Sequence, residues 1–301
     1  MRNRKLLIAT AVVLVGALAG VGFFVWKIHF SSNEIDIDSI IRTQKTPREF
    51  VPKYIVVYGD SRTGHEIHQK IVDAVIKTNP VAVFHTGDLV DKGSKAEEWK
   101  IFNRISSKLL AKTEFYPTLG NHEENSLLYF ENFSLPNNER WYRVEKGGIH
   151  FIILDSNTKM GEGSEQYEWL KQELKKISEK LKFIIVVLHH PLFASEASSH
   201  KEDEKDLQKS LVPLFNKYGV DAVFAGHIHA YERLYQGGIY YIITGGGGAP
   251  LHELKEKSPF SQKFIKVYHF CRLYINKDNQ MVIEVYDPDL NLLDRFVVEN
   301  R

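Results

Sequence analysis

The stretch Ala222-Val223-Phe224-Ala225-Gly226-His227-Ile228-His229 joins a short apolar run to two histidines through a glycine. An apolar run of this length, bounded by glycine, predicts a buried β-strand. Four related clusters follow other apolar runs: Gly59-Asp60-Ser61-Arg62, Gly87-Asp88-Leu89-Val90-Asp91, Gly120-Asn121-His122-Glu123 and His189-His190-Pro191. Open α/β sheets place their active sites at the carboxyl ends of strands. We therefore expect these polar side chains to lie together in one site.

The segments around these clusters alternate between short apolar runs and helical patterns. Tyr54–Tyr58 precedes the helix-like Ile67–Ile76, and the same alternation continues as far as Ala222–Ala225. This alternation predicts an α/β layered domain. From Ile239 onward the pattern becomes β-rich, and the C-terminal β segment, 264–301, belongs either to the second sheet or to a small appended module.

Composition excludes several classes of protein. Of 301 residues, 39 are Lys or Arg and 38 are Asp or Glu, which gives a net charge of +1. Without a basic excess, we predict no nucleic acid as a stable partner. Cys271 is the only cysteine, which excludes an intrachain disulfide and a zinc site built from several thiolates.

The N-terminal segment has the features of a membrane anchor. Arg2, Arg4 and Lys5 precede the uncharged run Leu6–Trp26, which is long enough, at about 1.5 Å per residue, to cross a hydrocarbon core of roughly 30 Å. We predict a transmembrane signal anchor in residues 1–27, a linker in 28–50 and the folded domain in 51–301, outside the cytoplasm. The alternative is a signal peptide cleaved near Ala17-Leu18-Ala19, which would make the domain a secreted protein.

The polar residues at the strand ends form a set that suits metal ions. Each cluster alone is typical of a turn or a helix cap. Oxygen and imidazole donors occurring together at successive strand ends instead indicate a site for Mn, Fe, Zn or Co. The candidate ligands are Asp60, Asp88, Asn121, His189, His227 and His229.

The order and spacing of the five clusters resemble the calcineurin-like metallophosphoesterases over roughly residues 54–246. The longer string Gly226–Arg233 is similar to the purple acid phosphatase branch. The resemblance implies a four-layer α/β/β/α sandwich of two mixed sheets flanked by helices. It also implies two divalent or trivalent metal ions that activate a water molecule to hydrolyse phosphate esters.

The same resemblance assigns the ligands. Asp88 would bridge both ions, and Asp60 and His229 would bind the first. The second would be bound by Asn121, His189 and His227. His189 is preferred to its neighbour because the family's ligand lies two residues before the proline.

Two positions depart from the family pattern. Arg62 stands where the superfamily often has a histidine, and an arginine does not ligate a cation because it stays protonated. Asp91 stands where purple acid phosphatases have a tyrosine. We therefore expect weaker binding of the first ion and no iron–tyrosinate colour, with Arg62 acting as a phosphate clamp.

Proton transfer to the leaving group is assigned to histidine. As in protein-phosphatase-like members, Asp91 would pair with His122, which is the first candidate for the general acid. His200 is the second candidate because its spacing from His189 resembles that of an acid-site histidine in the purple acid phosphatase branch.

Three functions are compatible with these residues. The favoured function is a phosphomonoesterase similar to acid phosphatases. The first alternative is a phosphodiesterase acting on nucleotides or on phospholipid or glycan head groups. The second alternative is a non-catalytic binding protein with the same fold.

Overall fold

A computed structural model describes residues 50–178, 183–195 and 201–299 of the chain. The predicted transmembrane segment and residues 28–49 of the predicted linker lie outside the described residues. Within the described ranges, no helix is long and apolar enough to cross a membrane.

The described part of the chain alternates strands and helices up to Ala225 and is mostly β-structure afterwards. The helices are α1 (His65–Lys77), α2 (Ala96–Leu110), α3 (Leu127–Asn132), α4 (Glu165–Ser178) and α5 (Lys201–Tyr218), with a 3₁₀ turn at Asn121–Glu123. The strands are β1 (Ile55–Tyr58), β2 (Ala82–His85), β3 (Glu114–Pro117), β4 (Tyr142–Lys146), β5 (Ile149–Ile153), β6 (Ile184–Val187), β7 (Ala222–Ala225), β8 (Tyr231–Gln236), β9 (Ile239–Thr244), β10 (Ser261–Ile265), β11 (Phe270–Ile275), β12 (Met281–Tyr286) and β13 (Leu292–Val298).

The strands form two mixed sheets. The first has the order β13-β12-β11-β1-β2-β3, in which β1, β2 and β3 are parallel. The second has the order β10-β8-β9-β7-β6-β5-β4, in which β5, β6, β7 and β9 are parallel. Parallel strands end at the same edge of their sheet, so the loops that follow them are neighbours.

The two sheets pack face to face, and helices cover their outer faces. Successive side chains in a strand point alternately into the core between the sheets and towards the helices. In β1, Val57 points into the core between the sheets, together with Phe151 of the second sheet. Val56 points the other way, onto a cluster that includes Val72 of α1. The outer face of the second sheet packs on α4 and α5 in the same manner, with Leu174 among the residues in that cluster. The prediction of two mixed sheets flanked by helices is confirmed.

The C-terminal β segment is integrated into the domain and does not form a separate module. Ser261–Ile265 joins the second sheet at its edge, whereas β11, β12 and β13 extend the first sheet. Val57 of β1 pairs with Cys271 of β11 in antiparallel register. Both predicted placements are therefore wrong for residues beyond 265, because β11 pairs with β1, and β12 and β13 continue the same sheet.

Candidate metal centre

Loops from both sheets bring the predicted ligands together. His189, after β6, places Nε2 2.9 Å from Asn121 Oδ1 and 3.4 Å from Asp88 Oδ1. His227, after β7, has Nδ1 3.1 Å from the same Asn121 oxygen. Asn121 and Asp88 follow strands of the first sheet, so this half of the site forms where the two sheets meet.

A second contact joins Asp60 to His229. The Nε2 atom of His229 lies 3.4 Å from Asp60 Oδ1, and the backbone N–H of His227 donates to the Asp60 carboxylate at 3.0 and 3.1 Å. Asp60 and Asp88 are almost completely buried. All six predicted ligands thus lie in one connected cluster.

Backbone carbonyl groups orient two of the imidazole rings. The Nδ1 atom of His189 lies 2.8 Å from the carbonyl oxygen of Thr86, and that of His229 lies 2.7 Å from the carbonyl oxygen of Pro250. A carbonyl only accepts hydrogen bonds, so Nδ1 carries the proton in each ring. Nε2 is then the nitrogen that can bind a cation, and metal-binding histidines usually donate their other ring N–H to a carbonyl or carboxylate in this way.

Three of the candidate ligands have left-handed backbone conformations. The φ angles of Asp60, Asp88 and His227 are 57°, 56° and 68°. Such angles are uncommon for residues with side chains and concentrate at functional sites. The adjacent Gly226 has no room for a Cβ atom, which would collide with an Asp60 carboxylate oxygen. Close backbone approach therefore explains this glycine in the motif.

The donor set fits metal ions. Ligand atoms of Asp60, Asp88 and His189 lie within 4.8 Å of one another, as do those of His189, His190 and His227. Burial alone would raise the pKa of Asp60, but its hydrogen bond with His229 and the charge of His189 lower it overall. Burial likewise lowers the pKa of His189, but the carboxylates of Asp88 and Asp60 raise it overall. A cation bound here would replace protons in balancing the buried carboxylates.

His190 lies beside the site and is held by hydrogen bonds with Ser156. Its Nδ1 is 2.9 Å from Ser156 Oγ, and its backbone N–H donates to the same oxygen at 3.0 Å. Its ring centroid is 4.7 Å from that of His227. His189 has the closer contacts with Asn121 and Asp88, and its selection as the ligand stays a prediction.

Arg62 and His122 flank Asp88 and Asp91. Arg62 places Nε 3.3 Å from Asp88 Oδ2 and Nη1 3.1 Å from Asp91 Oδ1. The Nδ1–H group of His122 donates to the backbone carbonyl of Asp91 at 2.7 Å, whereas the Asp91 carboxylate is 3.7 Å away. The predicted Asp91–His122 pair is thus made mainly through the backbone, because Arg62 binds the carboxylate. The other predicted acid, His200, lies outside the described residues.

Glu123 joins two ligand loops, a role that the sequence interpretation missed. Its buried carboxylate accepts the backbone N–H groups of Asp88, Leu89, Val90 and Gly120 at 2.9, 2.8, 3.4 and 2.6 Å. Burial, together with the nearby charge of Asp88, raises the pKa of Glu123 to about 8. Its position three residues after Gly120, where a capping-box glutamate would stand, was a sequence signal for this role.

His252 was also given no role, yet it contacts a candidate ligand. Its ring stacks on His229 with centroids 4.1 Å apart, and its Nδ1 accepts the His229 backbone N–H at 3.3 Å. Burial, followed by the charge of His229, lowers the pKa of His252 to about 4. A loop histidine of this kind leaves no periodic signal in the sequence.

The second half of the Gly226–Arg233 string contains residues that hold together the structure around the site. Tyr231 Oη and Arg233 Nε donate to Asp294 Oδ2 at 2.8 and 2.9 Å, which links β8 of the second sheet to β13 of the first. Glu232 accepts the backbone N–H of Ser195 at 2.8 Å. The motif therefore combines ligands with residues that hold the sheets and an adjacent loop.

A family model described as calcineurin-like phosphoesterase matches residues 53–231. The chain belongs to this family. The sequence resemblance to this family is thereby confirmed. The family's dinuclear metal cofactor agrees with the grouped ligand atoms of this calcineurin-like phosphoesterase.

Known relatives place this family member near the purple acid phosphatases. It is 33% identical over 229 residues to the probable purple acid phosphatase 20 of Arabidopsis thaliana, which covers 68% of this chain and 53% of that protein. It is 30% identical to the phosphoenolpyruvate phosphatase of Allium cepa, over 58% of this chain and 41% of that protein. The chain spans about half the length of the curated relatives it matches.

Solved structures share the fold at lower sequence identity. The purple acid phosphatase PPD1 of yellow lupin has a TM-score of 0.72 and 21% identity, covering 84% of this chain and 54% of that one. GAP50 of Plasmodium, described as the anchor in the inner membrane complex, has a TM-score of 0.68 and 17% identity, covering 84% and 90%. The agreement in fold thus extends well beyond the motif residues.

Proposed function

We propose that this chain hydrolyses phosphate monoesters at a site holding two metal ions. The observation that carries the proposal is the convergence of Asp60, Asp88, Asn121 and three histidines from the strand ends of two sheets. When bound, the ions would supply Lewis-acid activation of the phosphate and a nucleophilic water. The similarity to proteins named phosphatases supports the monoester specificity.

The ligand roles follow the connections within the cluster. Asp88 is the proposed shared ligand, because its ligand atom lies within 4.8 Å of those of both Asp60 and His189, which are assigned to different ions. Asp60 and His229 would hold one ion, and Asn121, His189 and His227 the other. Because Nδ1–H donates to a backbone carbonyl in both His189 and His229, Nε2 is the nitrogen of each ring that would bind an ion.

Arg62 and His122 are proposed to act on the substrate. The Arg62 side chain is 18% exposed and its guanidinium is held by two carboxylates, so its remaining N–H groups can orient a phosphate oxygen. The His122 ring is held by Nδ1–H donation to the Asp91 carbonyl. Its other nitrogen, Nε2, is proposed to donate the proton that the leaving oxygen requires. His200 is kept as the second candidate for this proton transfer.

Hydrolysis of two chromogenic esters tests the proposal. The full-length chain, stripped of metal and resupplied with Mn, Zn, Fe or Co, should cleave p-nitrophenyl phosphate faster than bis(p-nitrophenyl) phosphate. Without metal, neither ester should be cleaved. Faster cleavage of the diester would support the phosphodiesterase alternative. A folded, metal-loaded protein that cleaves no phosphate ester would contradict the proposal and favour a binding protein.

We also propose that Leu6–Trp26 anchors the protein in a membrane with the domain outside the cytoplasm. The uncharged run preceded by Arg2, Arg4 and Lys5 supports this location. The expressed full-length chain should then stay in the membrane fraction after a carbonate wash, and added protease should digest its domain in intact cells. A soluble product whose intact mass lacks the N-terminal segment would instead indicate a cleaved signal peptide.

A further inference from the structure

A cavity of about 380 Å³ lies beside the candidate metal centre. Asn157, one of its lining residues, donates N–H to the carbonyl oxygens of Leu119 and Gly120 at 3.1 and 3.4 Å. These two residues directly precede the candidate ligand Asn121. The cavity therefore shares a wall with the turn that presents this ligand, and its volume is typical of small-molecule sites.

The charged groups in the cavity wall balance one another. Arg140 Nη1 is 2.6 Å from Asp155 Oδ2, and the Asp155 side chain is fully buried. Lys159 and Glu165 add one positive and one negative charge, and both are exposed. Since the wall has no excess positive charge, it does not favour an anionic group. It offers both donors and acceptors to an uncharged polar group.

Hydrogen bonds make the floor of the cavity rigid. The buried Gln166 accepts the backbone N–H of Asp155 at 2.8 Å and donates to its carbonyl oxygen at 3.0 Å. The same side-chain amide donates to Thr158 Oγ1 at 2.9 Å. A floor ordered in advance lowers the entropic cost of binding a ligand.

Aromatic stacking is a minor feature of this cavity. Trp141 and Leu119 line it but are only 8% and 2% exposed. A nucleobase would therefore find little ring surface for stacking, which is a main source of affinity for bases. Hydroxyl groups each donate and accept, so they match the mixed polar lining.

We propose that this cavity binds the sugar of a sugar phosphate while the phosphate lies at the metal centre. This inference rests on the proposed phosphomonoesterase function. Glu165 would accept from one hydroxyl group, and Lys159 would donate to another. The preferred substrates are then esters whose leaving group is an uncharged, hydroxyl-rich sugar.

Steady-state kinetics of the metal-loaded, full-length chain tests the inference with glucose 6-phosphate, AMP and p-nitrophenyl phosphate. We expect the highest kcat/KM for glucose 6-phosphate. Glu165→Gln and Lys159→Gln should each raise its KM about fivefold, because each replaces a hydrogen bond to a charged group with a weaker one to a neutral amide. Its kcat and the kinetics of p-nitrophenyl phosphate should not change. Lys108→Gln, on the exposed face of α2, is the matched control.

Other outcomes would overturn the inference. It fails if AMP is preferred, if glucose 6-phosphate has no advantage, or if the variants affect all three esters equally. Saturation-transfer NMR with glucose 6-phosphate gives a measurement independent of turnover. If no ester is hydrolysed, the proposed function fails, but saturation-transfer NMR still tests whether the cavity binds the sugar. The sugar site is rejected if the sugar protons give no saturation-transfer signal, or if the signal is the same in the variants of Glu165 and Lys159.

Discussion

The two sheets supply different chemistry to the candidate metal centre. Loops after β1, β2 and β3 provide the oxygen donors, whereas loops after β6 and β7 provide the imidazoles. The oxygen donors Asp60 and Asp88 depend on left-handed backbone, while His189 and His229 depend on carbonyl acceptors that fix their rings. Neither sheet holds a complete set of ligands, so the packing between the sheets is itself a requirement for the site.

The largest effect is expected from removing the charge of the shared oxygen ligand. In the unsubstituted protein, the backbone N–H of His122 donates to Asp88 Oδ1 at 3.0 Å. Asp88→Asn keeps a side-chain oxygen that can accept this hydrogen bond, but it removes the negative charge. We expect kcat/KM for p-nitrophenyl phosphate to fall about a thousandfold, with metal content by mass spectrometry falling in parallel. Asp73→Asn, on the exposed face of α1, is the control and should retain activity. An active, metal-replete Asp88→Asn protein would reject the bridging role.

The next prediction compares how much His189 and His190, which both follow β6, contribute to metal binding. His189→Asn should weaken binding of the second ion about a hundredfold, because His189 contacts both Asn121 and Asp88. His190→Asn should weaken it less, because its Nδ1 is engaged with Ser156. Isothermal titration with Mn or Zn measures both affinities. A larger loss in the His190 variant would reverse the assignment of the ligand.

Adding an imidazole to the first sheet's half of the site should strengthen it. Arg62→His removes a guanidinium that pairs with Asp88 and Asp91 and introduces a neutral nitrogen ligand. We expect the weaker of the two ions to bind about tenfold more tightly, measured by equilibrium dialysis. The KM for phosphate esters should rise at the same time, since the phosphate clamp is lost. Unchanged metal affinity would show that Arg62 does not limit binding of the first ion.

The last effect changes stability and leaves the candidate site intact, because it concerns a histidine behind the first sheet. His68 is buried against Phe102 and near Tyr58, and burial lowers its pKa to about 3. Because unfolding restores an ordinary pKa near 6.5, the unfolded chain binds the extra proton. Its contribution to stability is complete above pH 6.5 and is lost as the pH falls toward 3.

His68→Gln should therefore reduce the pH dependence of the free energy of unfolding. Between pH 6 and pH 4 the slope should fall by at most about 1.4 kcal/mol per pH unit. Urea denaturation at several pH values measures this slope. Lys70→Gln, on the exposed side of the same helix, serves as the control. Equal slopes in His68→Gln and the unsubstituted protein would reject a neutral buried imidazole.

Most candidate ligands could be predicted from the sequence because they follow β1, β2, β6 and β7, which are buried on both faces. Asn121 follows the less buried β3, which begins at the exposed Glu114. The predicted strand Ala222–Ala225 has the bounds that the structure gives it, and the helix-like Ile67–Ile76 lies within α1, His65–Lys77. Strand β8, Tyr231–Gln236, was missed, because its residues were interpreted only as part of the histidine motif. Strand β4 was also missed, since its half-buried polar residues weaken the apolar pattern.

Interactions between distant residues could not be predicted from local patterns. The pairing of Arg140 with Asp155 forms only when the loop before β4 meets the loop after β5. Likewise, His122 bonds to the carbonyl of Asp91 because Arg62 occupies the carboxylate. Such choices depend on competition between side chains in three dimensions, which residue spacing does not describe.

The pairing of β1 with β11 has a consequence for synthesis of the chain on the ribosome. Val57 is among the first residues of the domain to emerge, but its partner Cys271 is among the last. Until then, β1 has one open hydrogen-bonding edge, and such edges promote aggregation. A transcript truncated before Phe270 would therefore encode every predicted ligand and still leave the first sheet open. Folding of the domain, and with it metal loading, must wait for nearly the whole polypeptide.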